Sequence, residues 1–357
     1  MTNPSTIAGT SMLGALLNRP YLVLVLTTMF WGGNVVAGKL AVGHIDAHTL
    51  MILRWSGALL AVLPFAMAPL RRDWPVIRTS WPLLLFYGAV GYATFNVFVY
   101  MAAHLTSGLN ISIEQVAVNI FVMLLNFAIF RTRVRALQLL GVALTILGVA
   151  ITASHGDLRR ILTLDVNLGD ALVLLACFSY AVYSITLRYR PASNWLSFLV
   201  VTFIGAILAS FAFQAVFGGG FSAFLAEIPE ITPQGWLIVL YTVLFPSVIS
   251  QMLYVRGVEL IGPNRASLFV NLIPLFGTVG SVLVLGERLQ SQHLIAAALI
   301  VAGLVLAEWS ARRLSRPRSF SPRTNAVADS LCQQGRRILQ ANRRNGRHQH
   351  RGQSKWP

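Results

Sequence analysis

Charge is what this sequence has least of. Only 11% of its 357 residues are charged, and acids are the scarcer sign, with 12 Asp and Glu against 28 Lys and Arg. Soluble domains carry about a quarter charged residues, so a chain this poor in them cannot coat a water-facing surface. Cysteine is nearly absent: Cys177 and Cys332 are too few for a disulfide framework or a cysteine-rich metal site. Also missing are an HExxH zinc motif, a GxSxG nucleophile elbow and a complete GxxxxGK[ST] phosphate loop. Carboxylates and histidines are too sparse in the apolar segments to build an acid–base or metal site. No enzyme chemistry, cofactor or metal is expected, and ATP-driven pumping by this chain alone is disfavoured.

What the sequence has in plenty is hydrophobic length. The chain is 55% apolar with a mean hydropathy of +0.66. Long apolar runs occupy residues 21–40, 48–69, 81–103, 108–130, 137–153, 170–187, 195–217, 235–255, 264–285 and 293–309. A helix of such length crosses a hydrocarbon core of about 30 Å. The expected fold class is therefore an all-α polytopic membrane protein with about ten transmembrane helices. Polar Asn34 and Lys39 interrupt the first run, which argues against a cleaved signal peptide.

The basic residues alternate between loops. Arg19, then Arg71, Arg72 and Arg78, then Arg131, Arg133 and Arg135, then Arg188 and Arg190, then Arg256 fall on one side. Residues 43–47, 104–107 and 218–234 on the other side hold no Lys or Arg, and only Arg159, Arg160 and Arg288 break the pattern. Basic short loops stay cytoplasmic, so both termini are expected inside the cell membrane.

The chain also resembles itself. At an offset of 155, "FRTRVRALQLLGVALTILG" lies on "LGERLQSQHLIAAALIVAG" without a gap, and at 149 "MFWGGNVVAGK" lies on "FSYAVYSITLR". Trp31 then meets Tyr180 and Lys39 meets Arg188. An odd number of spans per half inverts the second half relative to the first. Inverted repeats of this kind recur in secondary transporters, with the substrate site between the halves.

With "GDALVLLACFSYAVYSITLRYR", "NLIPLFGTVGSVLVLGERL" and, in the first half, "MFWGGNVVAGKLAV" and "VYMAAHLTSG", the chain resembles EamA-domain proteins of the drug/metabolite transporter superfamily. The resemblance covers about residues 21–309 and implies two inverted five-helix repeats around a central cavity that passes small metabolites. Its most specific piece runs from Pro274 to Gly286 and Glu287. The first half departs from it, with Asn119 in place of the proline and Arg131–Thr132 in place of Gly-Glu. A span without the proline is expected to bend less, so Pro274 is the candidate structural hinge. The expected organisation is a cytoplasmic segment 1–20, repeats 21–153 and 170–309, a linker 154–169 and a basic tail 310–357.

The polar residues inside the spans are the candidates for substrate binding or coupling. Glu114 lies about eight residues, or about 12 Å, below the outer boundary of the fourth span. Arg54 lies at similar depth in the second, and intramembrane charges usually pair, so an Arg54–Glu114 pair is expected, either mechanistic or structural. Glu114 is also a candidate carrier of a coupling proton. Lys39, nearer the helix end, fits a snorkelling role. Trp31, Asn34, Asn96, Gln115, Asn119, Tyr180, Tyr183, Gln251 and Asn271 complete the set. Each either lines a substrate path or joins helices, since interhelical amides contribute about 0.6–2 kcal/mol. Glu287 is expected to hold a helix end or pair with Arg288. A net positive outer vestibule would favour anionic substrates.

The tail after residue 309 holds 12 of the 28 Lys and Arg and one acid, Asp329. Its composition cannot bury a core, and it suits anionic lipid better than nucleic acid, which would call for interleaved aromatics. The reading that follows is a secondary transporter of a small molecule. The alternative is a membrane sensor that binds a ligand without net flux.

Overall fold

Ala47–Ala103 is helical backbone throughout its 57 residues, yet it cannot be straight. At 1.5 Å per residue it would reach about 85 Å, whereas the Arg54 guanidinium is hydrogen-bonded to Asn96 and the Trp55 ring lies 5.2 Å from Tyr92. The computed structural model of the protein describes residues 17–131, 136–154, 167–261, 266 and 269–315, and in it this helix doubles back on itself. The arginine-bearing connection expected as a loop is a helical bend. Pro64, Pro69, Pro75 and Pro82 lie inside the helix; each lacks an amide hydrogen and crowds the preceding turn, so curvature is spread over several softened turns.

The helices are α1 (Pro20–Ala41), α2 (Ala47–Tyr87), α3 (Phe95–Ala103), α4 (Gly108–Glu114), α5 (Ala117–Phe130), α6 (Ala136–Ala153), α7 (Leu168–Thr186), α8 (Trp195–Phe217), α9 (Gly220–Glu227), α10 (Pro233–Thr242), α11 (Ser250–Ile261), α12 (Ile273–Leu285) and α13 (Ser291–Ser315). Wider π-helical turns, Gly88–Thr94 and Val243–Ile249, join α2 to α3 and α10 to α11. No strand occurs among the described residues. Among the described residues, six helical segments are long and apolar enough to cross a membrane, and three shorter apolar helices lie at 139–152, 273–285 and 291–303. With Ala47–Ala103 crossing twice, the fold is an all-α polytopic bundle of ten passes. Large apolar side chains such as Leu60, Phe65, Val216, Leu237 and Leu283 face outward, as lipid contact requires and water would not tolerate over so wide an area.

Polar side chains set the helix ends. Asp46, Ser107, Asn167, Asn194 and Thr232 each accept a backbone N–H at the start of α2, α4, α7, α8 and α10, satisfying donors that have no partner within the helix.

The two repeats are legible in the backbone. The π turns start at 88 and 243 and end at 94 and 249, and α5 and α12 end at 130 and 285. Every one of these pairs is 155 apart, the offset at which the sequence overlays itself. Packing obeys the same exchange: α1 lies on α11 and α12, α7 lies on α3 and α5, and α2 meets α8. Close approach needs glycine at that last contact. A Cβ on Gly88 would stand 1.8 Å from the Thr202 carbonyl oxygen.

The chain divides into two units, Met1–Ala307 and Glu308–Pro357, and the helix packing and polar contacts belong to the first. Arg133, Arg135, Arg159, Arg160, Asn264, Ser267, most of the expected linker and the tail beyond 315 lie outside the described residues.

Candidate functional site

Arg54 is 3% exposed and sits where α1, α2, α3 and the second π turn meet. Its Nε donates to Ser247 Oγ at 2.7 Å, and Nη1 donates to Asn34 Oδ1 at 3.0 Å, Asn96 Oδ1 at 2.8 Å and the Tyr100 hydroxyl at 2.7 Å. The acceptors are tied to each other. Asn34 Nδ2 donates to Asn96 Oδ1 at 3.0 Å, Tyr100 donates to Asn34 Oδ1 at 2.7 Å, and Asn96 Nδ2 donates to the Tyr92 carbonyl at 2.8 Å. Ser247 sends its own proton to the Thr242 carbonyl, five residues back in the π turn, at 2.8 Å. Its lone pairs thereby stay available to the guanidinium. The Trp55 face lies 4.5 Å from the guanidinium carbon, a cation–π contact worth about 2 kcal/mol when desolvated.

Arg54 and Glu114 do not pair, contrary to expectation. Every hydrogen-bond partner of the guanidinium among the described residues is neutral, and both carboxyl oxygens of Glu114 are buried without a hydrogen-bond partner. Similar depth did not bring them together because they point to different neighbours around the bundle. Glu114 ends α4, beside α7, where the Cys177 thiol donates to its backbone carbonyl at 3.7 Å and Asp170 lies within electrostatic range. Asp170 in turn accepts from Thr106 Oγ1 at 2.6 Å. Lys39 Nζ donates to the carbonyls of Ala103 and Thr106 at 2.7 and 2.8 Å, closing the end of α3.

The aromatic candidates form a file leading away from the arginine. Trp55 stacks on Tyr92, Tyr92 meets Tyr183 at 5.8 Å, Tyr183 meets Tyr180 at 5.3 Å, and Tyr180 meets Phe95 at 5.2 Å. Trp31 stands on the other side, its indole N–H donating to the Pro246 carbonyl at 3.1 Å and its ring 5.4 Å from Tyr254.

A third group marks two interrupted helices. The fourth pass breaks at Gln115–Val116, between α4 and α5, and the ninth at Asn271–Leu272, just before α12. Pro274 stands in the first turn of α12, where its missing N–H costs nothing. The first-repeat span is interrupted all the same, which corrects the expectation that it would run straighter. The backbone there tightens to three-residue hydrogen bonds, Val116 to Ile113, Val118 to Gln115 and Asn119 to Val116. The two interruptions touch: Asn119 Nδ2 donates to Asn271 Oδ1 at 3.3 Å. Gln115 and Gln251 are half-buried, and among the described residues no hydrogen bond joins their side chains to the rest of the site.

Glu287 holds a helix end, as expected. Its two carboxylate oxygens accept the N–H groups of Gly108 and Leu109, both at 2.8 Å, so the second repeat caps α4 of the first. Sequence reading passed over Tyr100 and Ser247. Tyr100 lies four residues after Asn96 on one helix face, and Ser247 lies 155 after Tyr92, so the repeat itself was the signal. No group of three or more His, Cys, Asp and Glu able to hold a metal ion occurs among the described residues.

Residues 18–154 and 167–309, one stretch for each repeat, match the model of the EamA-like transporter family. The chain belongs to that family. Relatives of this EamA-like transporter include "Uncharacterized transporter YyaM" of Bacillus subtilis (strain 168), 21% identical over 80% of this chain and 92% of that protein. Another is the "Probable amino-acid metabolite efflux pump" of Salmonella typhimurium (strain LT2), 24% identical over 79% of this chain and 92% of that one. A solved structure described as "Crystal structure of protein" superposes with a TM-score of 0.56 at 18% identity, covering 83% of this chain and 99% of its own. That likeness concerns the fold alone. Family and relatives make the chain a multi-pass membrane transporter of the EamA-like type.

Proposed function

We propose that this EamA-like transporter is a secondary transporter that carries a small metabolite across the cell membrane by alternating access between its two repeats. The functional halves are residues 21–153 and 170–309, with both termini cytoplasmic. The observation that carries this reading is the clustering of Arg54, Asn34, Asn96 and Ser247 where α1 to α3 of one repeat meet the second π turn of the other. A rocking motion of one repeat against the other would make and break those contacts. The paired helix interruptions supply backbone that can change shape at matching places.

Glu114 is the proposed carrier of a coupling proton. Its carboxyl group is buried without a hydrogen-bond partner, and a state that exposed it to water would let it exchange a proton. The groups facing it are Asp170 and Cys177. The Salmonella relative's name makes amino acids and related metabolites the first cargo to try.

The test is counterflow in proteoliposomes loaded with a metabolite panel, without ATP. Alternating access is read with Thr49→Cys and Glu227→Cys, which replace a hydrogen-bonded pair bridging α2 and the end of α9, in a Cys332→Ser background. Exchange should stop on oxidation and return on reduction. Continued exchange with the crosslink formed would refute a rocking motion at this junction. Ligand binding with no flux in well-sealed vesicles would favour the sensor reading. Flux in Glu114→Gln that still responds to an imposed pH gradient would remove the glutamate from coupling.

A further inference from the structure

We infer that the cargo is a small organic carboxylate and that its negative group docks on Arg54. The inference rests on the transporter reading above and names its substrate class.

A guanidinium has five N–H donors. The hydrogen bonds of Arg54 use Nε and Nη1 only, so the two donors of Nη2 have no acceptor among the described residues. That nitrogen is not among the sealed, unpartnered polar atoms of the protein. It therefore keeps a small accessible surface although the residue is 3% exposed.

The positive charge is likewise unmatched. Asp46 and Glu227 serve the start of α2, Asp73 holds Asn194, Asp170 accepts from Thr106, Glu259 pairs with Arg256 and Glu287 caps α4, while Glu114 lies beside Asp170 and Cys177 and Glu230 is exposed. None lies within ion-pair distance of Arg54. Burying a cation without an anion is costly even when neutral oxygens solvate it. A site of this make-up is completed by a ligand that brings the missing charge.

Geometry narrows the class further. Nε and Nη1 are held by a closed network of Ser247, Asn34, Asn96 and Tyr100, which fixes the plane of the guanidinium before any ligand arrives. The Trp55 and Tyr100 rings lie 4.5 and 5.9 Å from its carbon, so the charge is held among aromatic side chains. A compact anion on an apolar or aromatic body fits both features. A bulky, highly hydrated polyanion would have to bring far more charge into aromatic surroundings than one arginine can match.

The experiment pairs each labelled carboxylate with its primary amide and with a phosphate monoester of the same body, in counterflow and in tryptophan-fluorescence titration of the purified transporter. The variants are Arg54→Gln and Asn96→Asp. The second is nearly isosteric and supplies an internal carboxylate 2.8 Å from Nη1, so it should fold with the arginine present and compete with the ligand. Elution volume and unfolding temperature monitor folding. Wild type should favour carboxylate over amide, and both variants should cut that preference about tenfold or more, the scale of a lost charge-assisted hydrogen bond. Equal handling of acid and amide, or an undiminished preference in Asn96→Asp, overturns the inference while flux itself leaves the transporter reading standing. Preference for the phosphate monoester overturns the carboxylate class. If nothing exchanges, the transporter reading falls. The titration still decides in that case, since carboxylate binding lost in Asn96→Asp supports the docking site and absence of carboxylate binding removes it.

Discussion

Glu287 offers a perturbation whose size follows from geometry. Its carboxylate receives two backbone N–H groups, from Gly108 and Leu109, at the start of a helix only seven residues long. Hydrogen bonds to a charged group are worth about 1.5–3 kcal/mol each when well buried. Glu287 is half-buried, so water recovers part of that, and helix-capping substitutions, at about 0.5–2 kcal/mol, set the better scale. Glu287→Ala should therefore destabilise the seat of α4 by about 2 kcal/mol. Glu287→Gln keeps one acceptor and turns an amide donor towards the other N–H, so about 1 kcal/mol is expected. A local reporter is built in. Cys177 is buried and its thiol donates to the carbonyl of Glu114 at the far end of α4, so release of α4 uncovers it. In a Cys332→Ser background, Cys177 labelling by a maleimide should accelerate about 30-fold in the alanine variant and about fivefold in the glutamine variant, if labelling follows the opening equilibrium. Labelling within twofold of wild type in both variants, or glutamine worse than alanine, would refute the capping account.

Other expectations follow from single contacts. Gly88→Ala places a Cβ 1.8 Å from the Thr202 carbonyl oxygen; overpacking of backbone on backbone should cost about 1–3 kcal/mol or more, and a wild-type unfolding temperature would show that α8 can yield. Arg131 and Gly286 end repeat-equivalent helices at φ +49° and +69°, so substitutions there should act with opposite signs. Gly286→Ala should lose about 1–2 kcal/mol from the backbone alone, since its Cβ meets no neighbour within 4 Å. Arg131→Gly should gain up to about 1 kcal/mol after glycine's entropy cost; same-sign shifts in thermal unfolding would contradict this. Asp73 lies in the bend between the second and third passes, and the N–H of Asn194 beside it, at 2.7 Å, holds its carboxyl below the ordinary 3.8. A depressed folded value stabilises above the unfolded one, so the unfolding-temperature gap between wild type and Asp73→Asn should be full at pH 7. It should close as pH falls below 3.8 through the folded value; a gap independent of pH would rule the carboxylate out as its source.

Sequence told the passes and the repeat well, because lipid imposes length and composition on any helix that crosses it. The offset of 155, read from apolar helices that match partly by chance, reappears in helix ends and π turns that owe nothing to residue identity. Arg54, Asn34 and Asn96 were each legible as polar residues in apolar surroundings, and they do meet. The Arg54–Glu114 pair was not to be had from the sequence. Depth along a helix is countable, but the direction a side chain faces around a bundle depends on which helices are neighbours. Register was lost at the interruptions for a related reason. Asn119 and Asn271 are 152 apart, off the repeat offset, yet their side chains reach each other because both lie beside breaks whose turns are tighter than an α-helix.

The two π turns each hold seven residues at the same place in their repeats, and a wider turn amounts to an extra residue in an otherwise regular helix. One helix can then answer to two neighbours that demand different phases: Gly88 stays flush against α8 while Asn96 and Tyr100, one and two turns beyond the bulge, are aimed at Arg54. Deleting a single residue from 88–94 would leave both ends helical but swing them about 100° out of phase, sending the site's oxygens away from the arginine. The same wide turn stands at the same place in both halves. The two halves put it to unlike uses, one presenting amide and phenol oxygens, the other a serine hydroxyl and a proline carbonyl.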